Sequence, residues 1–326
     1  MSRGDLDGRR VDRPVSDLAT DRRYRAVDVA VAGGTLRVGV WEADADAAPT
    51  ALLVHGVTAS HRSWRWLADL LPGVRLVAPD LRGRGRSHPR SLPGQVTGMA
   101  AHADDMRDVL DHLGIDRTLV VGHSMGAFVG VVLADRHADR VDRLVLVDGG
   151  LPLAVPDGLT SDEVIAFVLG PTAERLAMRF ATTEDYYDFW RRHPAFAADW
   201  SPALEDYLAY DLVGQEPELR PATSYDAMAA DTVDLSSGSA LSGALSRLRH
   251  HALLLTAPRG LLDEVPGLYE AGRLARLLEG VDLMRADEVP DVNHYTITMS
   301  ERGAAAVAGV VRTELAAVRP GTGAGL

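Results

Sequence analysis

Apolar and polar positions follow two rhythms along this chain. Residues Ala51 to His55, Val74 to Pro79, Thr118 to Gly122, Arg143 to Val147, Ala252 to Thr256 and Val281 to Arg285 are short, nearly unbroken apolar runs. Such runs suit strands buried on both faces of a parallel sheet. Earlier, Arg25 to Ala32 and Leu36 to Glu42 flank Gly33-Gly34 and are expected to pair as a hairpin. Between the runs the period lengthens. Over Met99 to Leu113, residues Met99, Met106, Val109, Leu110 and Leu113 share one stripe, with Asp104, Asp105, Arg107 and Asp108 on the face expected to meet water. Gly114 is placed to end that helix. Further helices are expected over Trp64 to Leu71, Met125 to His137, Leu268 to Leu278 and Arg302 to Val318. Strand and helix alternating in this way imply an α/β fold with a doubly wound, mostly parallel sheet, whose sites form at the carboxyl ends of strands.

One stretch breaks the alternation. From Leu151 to Arg249 there is no good parallel-strand candidate, only helical patches and a concentration of aromatics that includes Tyr186, Phe189, Trp190, Phe196 and Tyr207. It reads as an inserted helical cap whose aromatics mostly form its own small core. Asp231 to Gly243, rich in Ser and Gly, is expected to be the return hinge. The chain then divides into a polar leader (1–23), a core (24–150 and 250–318), the cap (151–249) and a loose tail (319–326).

Composition narrows the function. With 326 residues, 46% of them apolar, and a formal charge of −12, the chain can bury a large core but lacks the cationic excess of a nucleic-acid binder. It has no cysteine, so disulfides and thiolate metal sites are excluded. The charged N-terminus and the absence of a long apolar run give the expectation of a cytoplasmic protein with no membrane partner. No metal-ligand spacing such as His-Glu-x-x-His occurs, and neither a metal nor an organic cofactor is expected.

The chemistry concentrates at Gly122-His123-Ser124-Met125-Gly126, a Gly-x-Ser-x-Gly pattern between an apolar strand and an apolar helix. It proposes Ser124 as a nucleophile exposed at a forced strand-to-helix turn, where Gly122 and Gly126 remove the Cβ atoms that would clash. A serine hydroxyl needs a base. Among the histidines, His294 lies beyond the last strand and before the final helix, where a loop can bring its ring over the turn. His102, His112 and His137 fall on helices and are expected at the surface, and His55 is expected to brace its loop. An oxyanion needs two N–H donors. Met125 at the helix start and Val57 in the loop His55-Gly56-Val57-Thr58 are the candidates. Thr58, His123, Trp190 and Tyr295 are candidate substrate contacts.

Four motifs then occur in one order: His55-Gly56-Val57, Asp80-Leu81-Arg82-Gly83-Arg84-Gly85-Arg86-Ser87, Gly122 to Gly126, and Asn293-His294-Tyr295. Together they make the chain, from about residue 25 to 318, resemble an α/β-hydrolase-fold serine hydrolase with a helical cap. The resemblance implies that the Asp80 to Ser87 segment is structural. It also implies a triad acid after the strand Ala252 to Thr256, where Asp263 is the first choice although it comes late. Asp148, at the end of the preceding strand, is the alternative acid, with Glu264 behind both. The implied activity is hydrolysis of a carboxylic ester or lactone of a largely apolar small molecule. Carbon–carbon bond hydrolysis or acyl transfer by the same triad, and a ligand-sensing protein with a vestigial triad, are the alternatives. A serine at the turn argues against relatives that attack through a carboxylate there. Oligomeric state has no signature in the sequence.

Overall fold

The computed structural model of the chain describes residues 21, 23–45, 47–89, 97–156 and 158–318. The expected leader and tail thus lie almost wholly outside the described residues. The strands are β1 (Tyr24–Val31), β2 (Gly34–Trp41), β3 (Thr50–Val54), β4 (Arg75–Pro79), β5 (His88–Pro89), β6 (Thr118–His123), β7 (Val141–Val147), β8 (Leu212–Val213), β9 (Arg220–Pro221), β10 (Ala252–Thr256) and β11 (Met284–Glu288). The main sheet has the order β1-β2-β4-β3-β6-β7-β10-β11, with β5 paired to β2. β1, β2 and β5 pair antiparallel, and β2 joins β4 antiparallel. From β4 to β11 every pairing is parallel.

Alternation along the apolar runs explains why they are apolar throughout. Leu52, Val54, Val120, Leu144 and Leu254 pack into one core layer, while Leu53, Val121, Val145, Leu253 and Leu255 pack into another on the opposite face. α2 (Met99–His112) and α3 (Met125–Arg136) supply the first layer with Met106, Val109, Val129 and Val132. α1 (Arg65–Leu70) and α12 (Glu301–Ala317) supply the second with Leu67, Val307 and Val311.

β11 starts three residues later than its apolar signal suggests. As the last strand in the order it pairs only with β10. Its outer edge therefore tolerates Arg285, Asp287 and Glu288, while Val281 and Leu283 lie in the preceding turn. Asp105 on α2 is buried, not in water, because Arg82 pairs with it.

Between β7 and β10 the chain leaves the sheet for α4 (Ser161–Leu169), α5 (Pro171–Arg175), α6 (Thr183–Arg191), α7 (Pro202–Asp211), α8 (Tyr225–Ser237) and α9 (Ser239–Ser246), with the β8–β9 hairpin among them. Phe180, Tyr186, Trp190, Phe196 and Tyr207 form a third cluster with Trp66 and Met299 of the sheet-bearing part. The expected hinge over 231–243 is helical instead. Thr232 and Ser236 turn their hydroxyls back to Met228 and Thr232 carbonyls, which lets polar residues continue a helix. After β10 come α10 (Ala271–Leu278) and α11 (Thr296–Met299). No helix among the described residues is long and apolar enough to cross a membrane.

Candidate active site

Where β6 gives way to α3, Ser124 adopts φ 52° and ψ −124°, a region that side-chain-bearing residues avoid. The flanking glycines make the bend possible. A Cβ at Gly122 would lie 2.3 Å from the Gly126 carbonyl oxygen, and one at Gly126 would lie 1.9 Å from that of Val54. The Ser124 N–H donates to the Val147 carbonyl at 2.9 Å, tying the bend to the neighbouring strand. Its side chain opens onto a cavity lined by Val57, Phe128, Leu153, Leu235 and His294.

His294 arrives from the segment between β11 and α11. Its Nε2 lies 3.0 Å from Ser124 Oγ and its Nδ1 lies 2.7 Å from Asp148 Oδ2. A carboxylate only accepts, so the Nδ1 proton points at Asp148 and leaves the Nε2 lone pair facing the serine. Asp148 is fully buried, with φ 45°. Its second oxygen accepts the Ala257 N–H at 3.1 Å, and its own N–H donates to the Leu255 carbonyl at 2.7 Å. The carboxylate is thereby fixed between β7 and β10.

Asp263, the first-choice acid, is elsewhere. Its carboxylate accepts from Arg259 Nε at 2.7 Å and from Asn293 Nδ2 at 2.9 Å, and its side chain is 38% exposed. It holds Asn293, next to the histidine, rather than the imidazole. The late position accounts for this: the loop beyond β10 first presents Arg259, and that cation captures the carboxylate. Glu264 instead accepts the Leu262 N–H at 2.7 Å. Asn293 Oδ1 accepts the N–H groups of Tyr295 and Thr296, so the loop carrying His294 is set by its own backbone bonds.

The loop after β3 is braced from two sides. His55 Nδ1–H donates to the Gly56 carbonyl at 2.7 Å, while its Nε2 accepts the Leu81 N–H at 2.9 Å. Both ring nitrogens are satisfied in the neutral form, and burial lowers the pKa to about 4. Because the C=O and N–H of one planar trans peptide point opposite ways, holding the Gly56 carbonyl aims the Val57 N–H away from His55. Gly56 lets the loop pass close to the nucleophile, since a Cβ there would lie 3.2 Å from Ser124 Cβ. Arg84 Nε donates to the Val57 carbonyl at 2.9 Å. Met125 opens α3, where the first N–H groups lack helical acceptors and carry positive partial charge. Val57 and Met125 line the same cavity as Ser124, an arrangement suited to holding an oxyanion.

Arg84 entered the sequence reading only as part of the Asp80 to Ser87 segment expected to be structural, without its partners. Fully buried, it pairs with Asp231 of α8, which also accepts from His102 Nε2 at 2.9 Å and from the Gly98 N–H at 2.8 Å. His102, expected at the surface, is therefore interior. The partners stand far apart along the chain, and no local periodicity announces them.

Thr58, His123, Trp190 and Tyr295 all line the cavity. His123 Nε2–H donates to the His294 carbonyl at 2.8 Å. Burial first, then the neighbouring His294, lowers its pKa to about 3, so a neutral ring lies 4.9 Å from the His294 ring. Tyr295 Oη is 3.3 Å from the Thr172 hydroxyl. Trp190 lies under the Arg175 guanidinium at 5.0 Å. Arg175, a lining residue absent from the sequence-based set, is 1% exposed and bonded to Asp211 at 2.6 Å.

Comparison with known proteins gives the same architecture. One stretch is 37% identical over 126 residues to an uncharacterized protein of Mycobacterium bovis, covering 38% of this chain and 34% of that protein. A match of 121 residues is 39% identical to lipase LipV of Mycobacterium tuberculosis, covering 36% of this chain and 42% of that protein. The matches thus span well under half the length of these curated relatives. The crystal structure of E-2-(acetamidomethylene)succinate hydrolase superposes with a TM-score of 0.73 at 21% identity, over 89% of this chain and 99% of that one. A family profile described as alpha/beta hydrolase fold matches residues 49–227, more than half of the chain, and with the sheet order above this establishes that the protein belongs to the α/β-hydrolase-fold family.

Proposed function

We propose that this protein is a serine hydrolase that cleaves a carboxylic ester or lactone of a largely apolar small molecule through an acyl-enzyme on Ser124. The observation that carries this reading is the continuous hydrogen-bonded line Ser124–His294–Asp148 opening onto an apolar cavity. His294 Nε2 takes the Ser124 proton as Oγ attacks the carbonyl carbon, and the resulting imidazolium is held by Asp148. The Val57 and Met125 N–H groups hold the tetrahedral oxygen. His294 then gives its proton to the departing alkoxide. A water, deprotonated by the same ring, attacks the acyl-enzyme and releases the acid with Ser124 restored.

The neutral His123 matters to this scheme. A second cation 4.9 Å from the imidazolium would oppose its formation, and burial keeps that ring uncharged. Residues 151–249 would act as a cap, since Leu169, Thr172, Arg175 and Trp190 line the cavity onto which Ser124 opens. The relative named as a lipase is consistent with ester chemistry.

The test is hydrolysis of p-nitrophenyl butyrate by wild type and Ser124→Ala. Loss of at least about a thousandfold in kcat is expected, together with loss of labelling by a fluorophosphonate. Equal turnover in the variant would reject the assignment.

A further inference from the structure

The cavity beside Ser124 shares a wall with a second space. Leu153, Val168, Leu169, Thr172, Leu261 and Leu268 line both that cavity and a second, outer trough between α4 and the 261–268 loop. Five of these six side chains are aliphatic. The outer trough continues over Ala166, Phe167 and Leu262, and Phe167 is 57% exposed and Leu262 43%. Val265 in the same loop is 77% exposed. Among the described residues few large apolar side chains stand this far into solvent; two of them line this trough and a third, Val265, lies in the loop that borders it. Exposed apolar surface in one place marks something apolar that binds there.

The helix that forms the trough's wall is built for two tasks. Ile165 and Leu169, one turn apart on α4, are buried and anchor it to the core. Phe167 and Val168 lie on its other flank, Val168 lining both spaces and Phe167 the outer one. The lining of the outer trough is mostly apolar, with Thr172 its one hydroxyl and Glu264 its one carboxylate.

We propose that this protein acts on esters of medium- to long-chain acids, with the hydrocarbon tail leaving the catalytic cavity between α4 and the 261–268 loop to lie in the outer trough. The inference rests on the proposed hydrolase function and names its substrate class. The occupant is a flexible alkyl chain, because the wall shared by the two spaces is five aliphatic side chains and Thr172: a polar group would lose its hydration in passing between them, and only a thin chain needs little displacement of close-packed side chains to do so.

The experiment is a chain-length series of p-nitrophenyl esters, acetate to dodecanoate, each held below its micellar concentration. In wild type, kcat/KM should rise from butyrate to decanoate, by up to about fourfold per added methylene if each is fully buried. In the Phe167→Ser/Leu262→Ser double variant, the ratio of kcat/KM for decanoate to that for butyrate should fall by tenfold or more. Because that ratio is internal to each preparation, a partly unfolded fraction cancels. A wild-type ratio at or below one, or a variant ratio within twofold of wild type, would overturn the proposal while leaving butyrate hydrolysis, and so the hydrolase reading, in place. Failure to cleave any ester, butyrate included, together with no fluorophosphonate labelling of Ser124, would overturn both.

Discussion

Among the described residues, two buried histidine–aspartate pairs bond through the imidazole Nδ1 at nearly the same distance. His294 and Asp148 meet at 2.7 Å, His61 and Asp80 at 2.8 Å. In each the aspartate closes a strand of the main sheet or follows it directly, and both carboxylates are fully buried. The difference lies at the other ring nitrogen. His294 Nε2 faces Ser124 Oγ at the edge of a cavity, whereas His61 Nε2 meets the Tyr24 hydroxyl at 2.8 Å. Tyr24 stacks on the His61 ring at 6.0 Å and Tyr210 abuts it edge-on at 5.0 Å. Asp80 is also saturated, accepting from the His61 N–H, the Arg86 N–H and the Tyr210 hydroxyl. A His–Asp pair by itself is therefore a brace. It becomes a candidate proton carrier when the far nitrogen is left for a nucleophile and for substrate.

The largest separation between the two pairs should appear in turnover. His294→Ala is expected to lower kcat for p-nitrophenyl butyrate by about a thousandfold or more, with a urea midpoint close to wild type. A loss of less than tenfold would dissolve the distinction. Asp148→Asn should cost about a thousandfold or more as well, since the amide stabilises neither the tautomer nor the imidazolium. Asp263→Asn should stay within about threefold, because its partners are Arg259 and Asn293. A reversed order in steady-state assays would return Asp263 to the acid's place.

His61→Phe is the matching break on the other side. It keeps a ring among Tyr24, Trp41 and Tyr210 but removes the side-chain hydrogen bond to a buried carboxylate. We expect a loss of about 2–3 kcal/mol in stability, read by urea denaturation, with kcat of the folded fraction within about threefold of wild type. A turnover loss as large as that of His294→Ala would mean that the Asp80 anchor controls the site directly.

These contrasts also mark what sequence could and could not reveal. The elbow was legible because its chemistry is local: two glycines and a serine within five residues specify the bend, and the apolar runs on either side name the strand and the helix. His294 was legible from order along the chain, and the sheet from its apolar runs. The carboxylate that meets the imidazole was not, because sequence offered one after each of two neighbouring strands. In the fold Asp148 meets His294, while Asp263 accepts from Arg259 and Asn293. The Arg84–Asp231–His102 cluster was hidden for a related reason. Three polar residues on helix and loop look solvated until folding brings them together, and the segment holding Asp231 looked like a hinge because its Ser and Gly content outweighs its helical capacity when tertiary bonds are ignored.

The smallest expected effect is a pH dependence that sharpens the comparison by separating buried histidines from buried aspartates. His55 and His123 have native pKa values of about 4 and about 3, set first by burial, against about 6.5 in an unfolded chain. Above that value both states are neutral and the protein has its full stability. As pH falls from about 6.5 toward 4, the unfolded chain takes up protons that the native rings refuse, so stability must drop. Asp80 and Asp231 act lower. Burial pushes each carboxyl up, but His61 beside Asp80, and His102 with Arg84 beside Asp231, outweigh it and hold both well below the usual carboxylate range. Their contribution is present above about 4 and lost as pH falls further, when the unfolded carboxylates protonate first. Urea midpoints should therefore decline in two stages, one from about pH 6.5 to 4 and a second below it. His55→Gln, in which the amide can still accept the Leu81 N–H, should shrink the first stage and leave the second. A flat midpoint between pH 6.5 and 4.5 would mean that these two rings take up protons in the native state, and with that the neutral His123 beside the His294 imidazolium would be lost from the scheme.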